Sequence, residues 1–361
     1  VGIHHVFVNG VAAILGGEFK DRRVGDVLRK SSHSGSNQFP GKEWVRWNSL
    51  EKAGWSKAGL ARAREFSKTL ATSALIIVQG GRIVDEWGES KRPFNCHSMR
   101  KSILSALYGP HVLSGKIRTS SPIGELGIDD NEPSLTELEK TAKVGDLLKA
   151  RSGVYHPALY ETKAMAARRP KRGSHEPNAF WYYNNWDFNT VCSIFENESG
   201  HGIFEEFEDR LAGPLMMQDF VREKHTRYVT GTNSVHPAYP FQLSARDLAR
   251  FGLLFARGGV WKDEQIIPKG WVIESTRSYS TTSRGGGYGY MWWVAKDGNF
   301  YPNVKVPDGS FAAHGYRGHK LLVIPQWDLV IVHRVNTFKR EGSVGTGDFG
   351  KLLKLILEAR K

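Results

Sequence analysis

The stretch from Phe94 to Gly109 contains a serine and a lysine whose spacing suits nucleophilic chemistry. Ser98 and Lys101 are three residues apart, and residues at this spacing share one face of a helix. A serine hydroxyl is a weak nucleophile near neutral pH and needs a base beside it. A lysine in the buried first turn of a helix can serve as that base, because burial lowers the pKa of its amine. The pair alone is far more typical of an ordinary polar first turn than of a nucleophile, so its meaning depends on the rest of the chain.

A second group, Tyr183 and Asn185, stands at the start of an expected helix. The surrounding sequence, FWYYNNWDFN, also fits a corner of packed aromatic rings. In the chemical interpretation, the Tyr183 phenol passes a proton between nucleophile and leaving group, helped by a nearby lysine cation that favours phenolate. The Asn185 amide then orients that lysine or a substrate carbonyl.

A third group is the run His314-Gly315-Tyr316-Arg317-Gly318, which we interpret as lying inside a strand. Glycine in a strand interior often marks close approach of the backbone to something else. If that partner is a substrate, a main-chain N–H here joins the N–H of Ser98 as an oxyanion hole. A β-bulge explains this segment equally well.

The composition is that of a globular protein with a basic surface. The chain has 361 residues, of which 40% are hydrophobic and 24% charged, and its net charge is +13. That charge favours anionic partners in general, but the lysines and arginines are scattered and no aromatic-basic nucleic-acid motif accompanies them. We therefore expect a solvated basic surface and no nucleic-acid binding. The length allows one large domain or two smaller ones.

Cysteine usage and hydropathy bear on disulfide formation, membrane insertion and the cellular location of the protein. Cys96 and Cys192 form no metal-binding or disulfide pattern, although a disulfide between them stays open. No apolar run reaches the length of a membrane span. The stretch VGIHHVFVNGVAAIL lacks the charged start and cleavage site of a signal peptide. This slightly favours a cytoplasmic location over a periplasmic or secreted one, with export left open because the chain begins with valine.

These groups have to be positioned by an expected α+β domain. Residues 1–37 combine short strands around Asn9-Gly10 with the polar linker SSHSGSN, and we expect an appended segment there. In residues 38–361, β-rich runs around Gly80-Gly81 predict a hairpin, and three late β-rich runs predict neighbouring antiparallel strands. Helices are predicted over residues 57–69, 180–198, 203–211 and 351–361, after Ser98 and Ser244, and around 271–276. The expected division is an α/β part at about 38–107 and 245–361 and a helical part at about 108–244.

The order of the three motifs resembles the serine β-lactamase and DD-peptidase superfamily. The stretches DLLKARSGVY, PLMMQDF, LSARDLARFG and HGYRGHKLLVIPQWDLVIVHRV are similar to its class C branch. That branch includes class C β-lactamases, D-alanyl-D-alanine carboxypeptidases, family VIII esterases and 6-aminohexanoate-dimer hydrolases. The resemblance covers about Ala74 to Glu358 and implies a penicillin-recognition fold, with an antiparallel sheet flanked by helices plus an all-helical region. Separately, VFVNG…GGEFKDRRVGDVLR resembles the closing strand and tail of D-aminoacylase-type amidohydrolases.

The resemblance implies a role for each candidate residue. Ser98 is the acylated nucleophile, Lys101 its base, Tyr183 the second member of the proton network and Asn185 the asparagine of Tyr-x-Asn. The Lys-Thr-Gly strand of β-lactamases is missing. His314 stands where that lysine would be, followed by Gly315, and Tyr316 is the candidate for the second oxyanion N–H. Since that lysine helps to bind the β-lactam carboxylate, its absence disfavours β-lactam hydrolysis. Tyr155 is similar in position to an aromatic residue that closes over substrate in 6-aminohexanoate-dimer hydrolases.

We therefore expect a serine hydrolase that acts through an acyl-enzyme on small esters or amides, with no metal or organic cofactor. A D-amino-acid peptidase or amidase, or a β-lactamase, of the same fold is the alternative within this class. A non-catalytic binding protein of the same fold is the alternative outside it, and four intact site residues argue against it. Four tryptophans are expected in an apolar acyl pocket or in the core: Trp181, Trp186, Trp292 and Trp293. Three histidines lack metal-ligand spacing and are expected at the surface or in loops: His156, His175 and His319.

Overall fold

The computed structural model describes residues 5–8, 11–15, 18–19, 38–283, 285–339 and 342–361 and divides the chain into two compact units, Val1–Ser36 and Asn37–Lys361. In the first unit, strands β1 (His5–Val8), β2 (Val11–Leu15) and β3 (Glu18–Phe19) form an antiparallel sheet in that order. The predicted turn at Asn9-Gly10 and the predicted linker over 31–37 lie outside the described residues.

The second unit is built on an eight-stranded antiparallel sheet. Its strands are β4 (Thr72–Gln79), β5 (Arg82–Gly88), β10 (Ser280–Thr281), β11 (Gly287–Tyr288), β12 (Trp293–Val294), β13 (Phe311–Gly315), β14 (His319–Ile324) and β15 (Leu329–Val335). Two short pairs lie outside that sheet: β6 (Phe94–Asn95) with β7 (Gln242–Leu243), and β8 (Val260–Trp261) with β9 (Glu264–Gln265). The order in the large sheet is β10-β11-β12-β13-β14-β15-β4-β5, so the first and last parts of the domain meet where β15 pairs with β4.

Helices cover both faces of this sheet. They are α1 (Lys57–Lys68), α2 (Arg100–Leu113), α3 (Glu137–Lys140), α4 (Val144–Leu148), α5 (Lys163–Ala166), α6 (Asn185–Ser199), α7 (Ile203–Phe207), α8 (Arg222–His225), α9 (Ala245–Ala256), α10 (Lys269–Ser275) and α11 (Thr346–Glu358). Leu75 and Ile77 of β4 pack into the core that contains α1 and α11, whereas Ile76 and Val78 face the core that contains α2 and α9. A strand buried on both faces needs a continuous apolar run, and β4 has one.

The expected α+β class, with a large antiparallel sheet flanked by helices, is confirmed. The prediction that His314 to Gly318 lies inside a strand is wrong. β13 ends at Gly315, and Tyr316–Gly318 forms a 3₁₀ turn that joins β13 to β14. The chain leaves the strand because Arg317 and Gly318 have φ values of 62° and 109°, in the left-handed region that glycine adopts without strain. The structure has five strands where three were predicted: this turn separates β13 from β14, and β11 and β12 are also separate.

The helix predicted from Phe180 begins later, at Asn185. Asn184 is extended, with φ −104° and ψ 112°, and its side chain accepts a hydrogen bond from the Trp186 N–H. An asparagine in this position satisfies one of the unpaired donors at a helix start and so fixes where the helix begins. The consequence for the site is that Tyr183 lies before the helix and Asn185 is its first residue.

Candidate active site

Ser98 lies between a short strand and a helix, in the 3₁₀ turn His97–Met99 that follows β6 and precedes α2. The segment is held on both sides. The Cys96 N–H donates to the Phe241 carbonyl at 2.7 Å, and the His97 N–H donates to Asn95 Oδ1 at 3.0 Å. His97 itself has a φ of 48°, a conformation that is uncommon for residues with a side chain. These contacts fix the serine at the mouth of the helix.

Lys101 is the centre of the site. Its Nζ lies 3.0 Å from Ser98 Oγ, 2.7 Å from Tyr183 OH and 2.7 Å from Asn185 Oδ1. All three distances are within hydrogen-bonding range. The side chain is buried, with 1% of its surface exposed, and Nζ is 4.2 Å from the centre of the Tyr183 ring. The structure thus brings together the four residues that the two sequence motifs predict.

Burial sets the protonation states of the two candidate proton carriers. It lowers the pKa of Lys101 well below its usual value, and the neighbouring Arg100 charge lowers it further. Burial raises the pKa of Tyr183 to about 12, against the opposing effects of a hydrogen bond with Ser98 and the Arg100 charge. The prediction that a lysine cation favours Tyr183 phenolate is therefore wrong, because burial raises the Tyr183 pKa by more than the Ser98 hydrogen bond and the Arg100 charge lower it. Tyr183 is a phenol at neutral pH.

This arrangement suits an amine that accepts a proton. The Oδ1 atom of Asn185 can only accept hydrogen bonds, so it fixes one proton of the Lys101 amine. The second amine proton can be donated to the phenol oxygen of Tyr183. The remaining lone pair of a neutral amine is then directed to the Ser98 hydroxyl, whose proton it can receive.

The end of β13 packs directly against the serine segment. A methyl group on Gly315 would lie 2.7 Å from the Cys96 carbonyl oxygen and 3.3 Å from Met99 Cγ. The close approach that the glycine indicates is therefore to the main chain before Ser98. This places the main chain at Gly315 and Tyr316 beside the nucleophile, and β13 pairs with β14 up to Gly315 without a register shift. The strand is thus not bulged here.

A cavity of about 630 Å³ opens beside these residues. Its wall contains Ser98, Tyr183, Asn185, His314, Gly315 and Tyr316 from the predicted site. The His314 ring stacks on Trp293 with centres 5.1 Å apart and forms a 2.7 Å hydrogen bond with Tyr301 OH. The imidazole is thus held by its neighbours at the cavity wall, where the resemblance implied a residue in place of the β-lactamase lysine.

Tyr155 is not part of the cavity wall. It is 5% exposed, its hydroxyl lies 3.1 Å from His175 Nδ1, and its ring meets the edge of Tyr182 at 5.9 Å. Tyr182 does line the cavity, so Tyr155 stands one side chain behind it. A contact between Tyr155 and substrate stays a prediction, and a Tyr155→Phe enzyme with unchanged kinetics on amides would remove it.

The remaining sequence predictions have mixed outcomes. Trp293 lines the cavity, whereas Trp186 and Trp292 are completely buried in the core. The prediction for His319 is wrong, because it is fully buried in β14. Cys96 and Cys192 are both buried and unpaired by any disulfide. Within residues 38–283, 285–339 and 342–361, no group of three or more histidine, cysteine or acidic side chains is arranged to hold a metal ion. None of the described helices is long and apolar enough to cross a membrane.

Part of the wall comes from residues that the sequence motifs did not indicate. Tyr160, Thr162 and Met165 line the cavity from the polar segment before Tyr183, and Met165 Sδ accepts a hydrogen bond from Asn185 Nδ2 at 3.6 Å. Arg100 also lines it. The only available signal for Arg100 was its place inside the Ser-x-x-Lys motif, and the other three have no spacing or pattern that predicts them.

Comparisons with known proteins identify the family and the fold of this chain. The sequence profile of the Beta-lactamase family matches residues 59–354. Among solved structures, a "putative 6-aminohexanoate-dimer hydrolase" from Bacillus anthracis has a TM-score of 0.61 at 19% identity and covers 82% of this chain and 80% of its own. An octameric penicillin-binding protein homologue from Pyrococcus abyssi has a TM-score of 0.61 at 17% identity, covering 83% and 76%. A β-lactamase from Mycobacterium bovis has a TM-score of 0.57 at 16% identity, covering 81% and 99%.

One curated relative is an uncharacterized protein of Alkalihalophilus pseudofirmus, which is 31% identical over 101 residues. That match covers 27% of this chain and 30% of the relative's length. These solved structures share the fold of this chain. The family match extends over most of the chain, and the chain belongs to the Beta-lactamase family. The sequence resemblance is thereby confirmed.

Proposed function

We propose that this protein is a serine hydrolase that cleaves small esters or amides through an acyl-enzyme on Ser98. The observation that carries the proposal is the buried Lys101 amine, which lies within hydrogen-bonding distance of the Ser98 hydroxyl, the Tyr183 phenol and the Asn185 carbonyl. A lysine whose burial disfavours the ammonium form is an effective base near neutral pH. Membership of a family of serine hydrolases supports the same chemistry.

The acylation step follows from the contacts. Ser98 Oγ forms a bond to the substrate carbonyl carbon while its proton passes to Lys101 Nζ. The carbonyl oxygen becomes an oxyanion, for which the main-chain N–H groups of Ser98 and Tyr316 are the proposed donors. The bond to the leaving group then breaks, and the leaving oxygen or nitrogen takes a proton from the lysine through the Tyr183 phenol. Water repeats the sequence on the acyl-enzyme, losing its proton to the same pair and releasing Ser98.

The cavity supports esters or amides as the preferred substrates within the family. Its wall is largely apolar in area and rich in aromatic rings such as those of Tyr160, Tyr182 and Trp293, and it also contains the charged residues Arg100, Glu161 and Arg168. His314 replaces the lysine that binds the carboxylate of a β-lactam in the resembling enzymes, and its ring is held by Trp293 and Tyr301. A β-lactamase or a D-amino-acid amidase of the same fold is distinguished from an esterase by the substrate panel below.

Intact-protein mass after exposure to a fluorophosphonate tests the proposal. The native chain is expected to gain one adduct, and Ser98→Ala none. Ser102→Ala is the matched control, because Ser102 lies in α2 directly after Lys101, and its buried hydroxyl donates to the Met291 carbonyl at 2.7 Å instead of facing Lys101. An unlabelled native protein, or equal labelling of Ser98→Ala, would contradict the proposal.

Substrate class is then resolved by kinetics on a panel of short-chain p-nitrophenyl esters, anilides of L- and D-amino acids, and a chromogenic cephalosporin. We expect turnover of esters or amides that is lost in Ser98→Ala. Higher kcat/KM on the cephalosporin would replace the ester or amide assignment with a β-lactamase, and selectivity for D-anilides would replace it with a D-amino-acid amidase.

A further inference from the structure

A buried arginine accompanies the nucleophile and its base. Arg100 starts α2 directly before Lys101, and 1% of its surface is exposed. Its guanidinium carbon lies 4.8 Å from the centre of the Tyr239 ring and 5.2 Å from that of Tyr160. A cation over the face of an aromatic ring is attracted to it. Two rings therefore hold the guanidinium in one place at the back of the catalytic cavity.

Arg100 is in no ion pair among the described residues, and Glu161, which lines the same cavity, is paired with Arg169. The hydrogen-bond acceptors of Arg100 are neutral: the His97 carbonyl oxygen and Asn189 Oδ1, each at 3.3 Å. Its Nε is buried and has no partner among the described residues. Arginine stays protonated in proteins, so a full positive charge remains next to the catalytic lysine. Burying an unpaired charge is unfavourable for stability, which makes a role in the site a reasonable explanation for it.

We propose that Arg100 is a positioning residue whose fixed charge keeps Lys101 in its neutral, proton-accepting form. The inference rests on the proposed function. In a region that excludes water, a second cation near the first is strongly disfavoured. The Arg100 charge therefore adds to the effect of burial, and both act against the ammonium form of Lys101.

The directions of the pKa shifts of Lys101 and His97 agree with this geometry. The pKa of Lys101 is lowered by burial first and by the Arg100 charge second. The Arg100 charge also lowers the pKa of His97, where burial and the Arg334 charge are larger causes and bring it to about 4. His97 is therefore neutral at the pH values at which a serine hydrolase works. His314 and Glu161 also line the cavity, so the variants below are needed to assign the acidic limb of the rate profile to Lys101.

The pH dependence of fluorophosphonate labelling at Ser98 tests the role without a known substrate. Arg100→Lys keeps the charge, and Arg100→Met keeps much of the volume without it. In Arg100→Met, we expect the acidic limb of the rate profile to move about one pH unit higher. In general, a unit charge about 10 Å away has an effect of this size at an effective dielectric constant of about 20. In Arg100→Lys, the limb is expected to stay within a few tenths of a unit of the native one.

Asn189→Asp tests the charge while leaving the arginine in place. It puts a carboxylate where Asn189 Oδ1 now accepts from Arg100, so the cation is neutralised and the limb is expected to move in the same direction. This variant decides the question by itself should Arg100→Met fail to fold. Arg250→Met is the control for losing a buried arginine. Arg250 is also 1% exposed, but it donates to main-chain oxygens away from the cavity, so its loss should leave the limb in place.

The two proposals fail in different ways. If native protein is not labelled at Ser98, the proposed function fails. If native protein is labelled with a clear acidic limb that neither Arg100→Met nor Asn189→Asp displaces, the role of Arg100 is overturned and the proposed function stands. A limb that Arg250→Met displaces equally would also overturn the role of Arg100.

Discussion

A negative charge at Asn185 should disable the lysine base while leaving its surroundings almost the same size. Asn185→Asp replaces an amide oxygen with a carboxylate oxygen 2.7 Å from Lys101 Nζ. Two unit charges at that separation attract by about 6 kcal/mol at an effective dielectric constant of about 20, which corresponds to about four pKa units. That value is an upper bound, because the buried carboxylate also resists ionisation. We expect the pKa of Lys101 to rise by at least about two units.

The sign of the effect gives a sharp assay. A higher Lys101 pKa keeps the amine protonated over a wider pH range, so the acidic limb of kcat/KM moves at least about two units to higher pH, and at pH values below both limbs the rate falls at least about 100-fold. Activity should return as the pH is raised. Asn185→Ala is the matched control, since it removes the acceptor without adding charge. Its rate should fall about fivefold, the value of one hydrogen bond of about 1 kcal/mol, with no upward shift of the limb. A native-like profile for folded Asn185→Asp would refute the assignment of Lys101 as the base.

Three further results are expected. Tyr183→Phe should lower kcat by about 10² to 10⁴, the usual contribution of a proton-transferring group, while its melting temperature stays near native because the ring contacts persist; an unchanged kcat would remove Tyr183 from the proton path. Gly315→Ala should lower kcat by about 10- to 100-fold with little change in KM, because a methyl group 2.7 Å from the Cys96 carbonyl oxygen must displace the end of β13 from the nucleophile. Gly270→Ala, where the new methyl group meets nothing within 4 Å, is its control, and equal kinetics for the two variants would contradict that account. For the native enzyme, kcat/KM should rise with pH as Lys101 loses its proton and then stay level into the alkaline range, because the Tyr183 pKa is about 12; a descending limb near pH 8 would show that a different acid is required.

The residues that perform the chemistry could be predicted because local spacing determines their arrangement. Ser98 lies in the 3₁₀ turn that leads directly into α2, and Lys101 lies in the first turn of α2. Their Ser-x-x-Lys spacing is short enough to be recognised in the sequence, and it brings the two side chains to one face. Tyr183 and Asn185 flank a capping asparagine, so one stays before the helix and the other enters it. That Tyr183 and Asn185 contact Lys101 could be expected only from the order of motifs in the family. No single spacing rule predicts it.

Long-range packing explains what the sequence analysis missed. The run from His314 to Gly318 has strand-like composition, and the hairpin turn inside it depends on the backbone at Arg317 and Gly318. Composition alone does not predict this turn, and Gly315 and Gly318 are the residues that could have indicated it. Tyr160 and Met165 reach the cavity only because the segment before α6 folds back over Ser98. The polarity of that segment indicates an exposed loop and gives no information about which side chains turn inward.

The desolvation balance at Lys101 and Tyr183 also lies beyond sequence analysis. A lysine beside a tyrosine can lower the tyrosine's pKa or leave it high, and the outcome depends on how much water reaches the pair. Here Lys101 is buried and Tyr183 is partly buried, and burial raises the Tyr183 pKa and lowers the Lys101 pKa. The direction of proton transfer in the proposed mechanism follows from that burial.

The most direct test of the central claim is rapid acid quench of the enzyme during turnover of a p-nitrophenyl ester, followed by intact mass and peptide mapping. We predict an adduct with the mass of the acyl group on Ser98, which accumulates in a burst with released p-nitrophenol and is missing from Ser98→Ala. Ester turnover without any acyl adduct, or an adduct on another residue that persists in Ser98→Ala, would contradict the account.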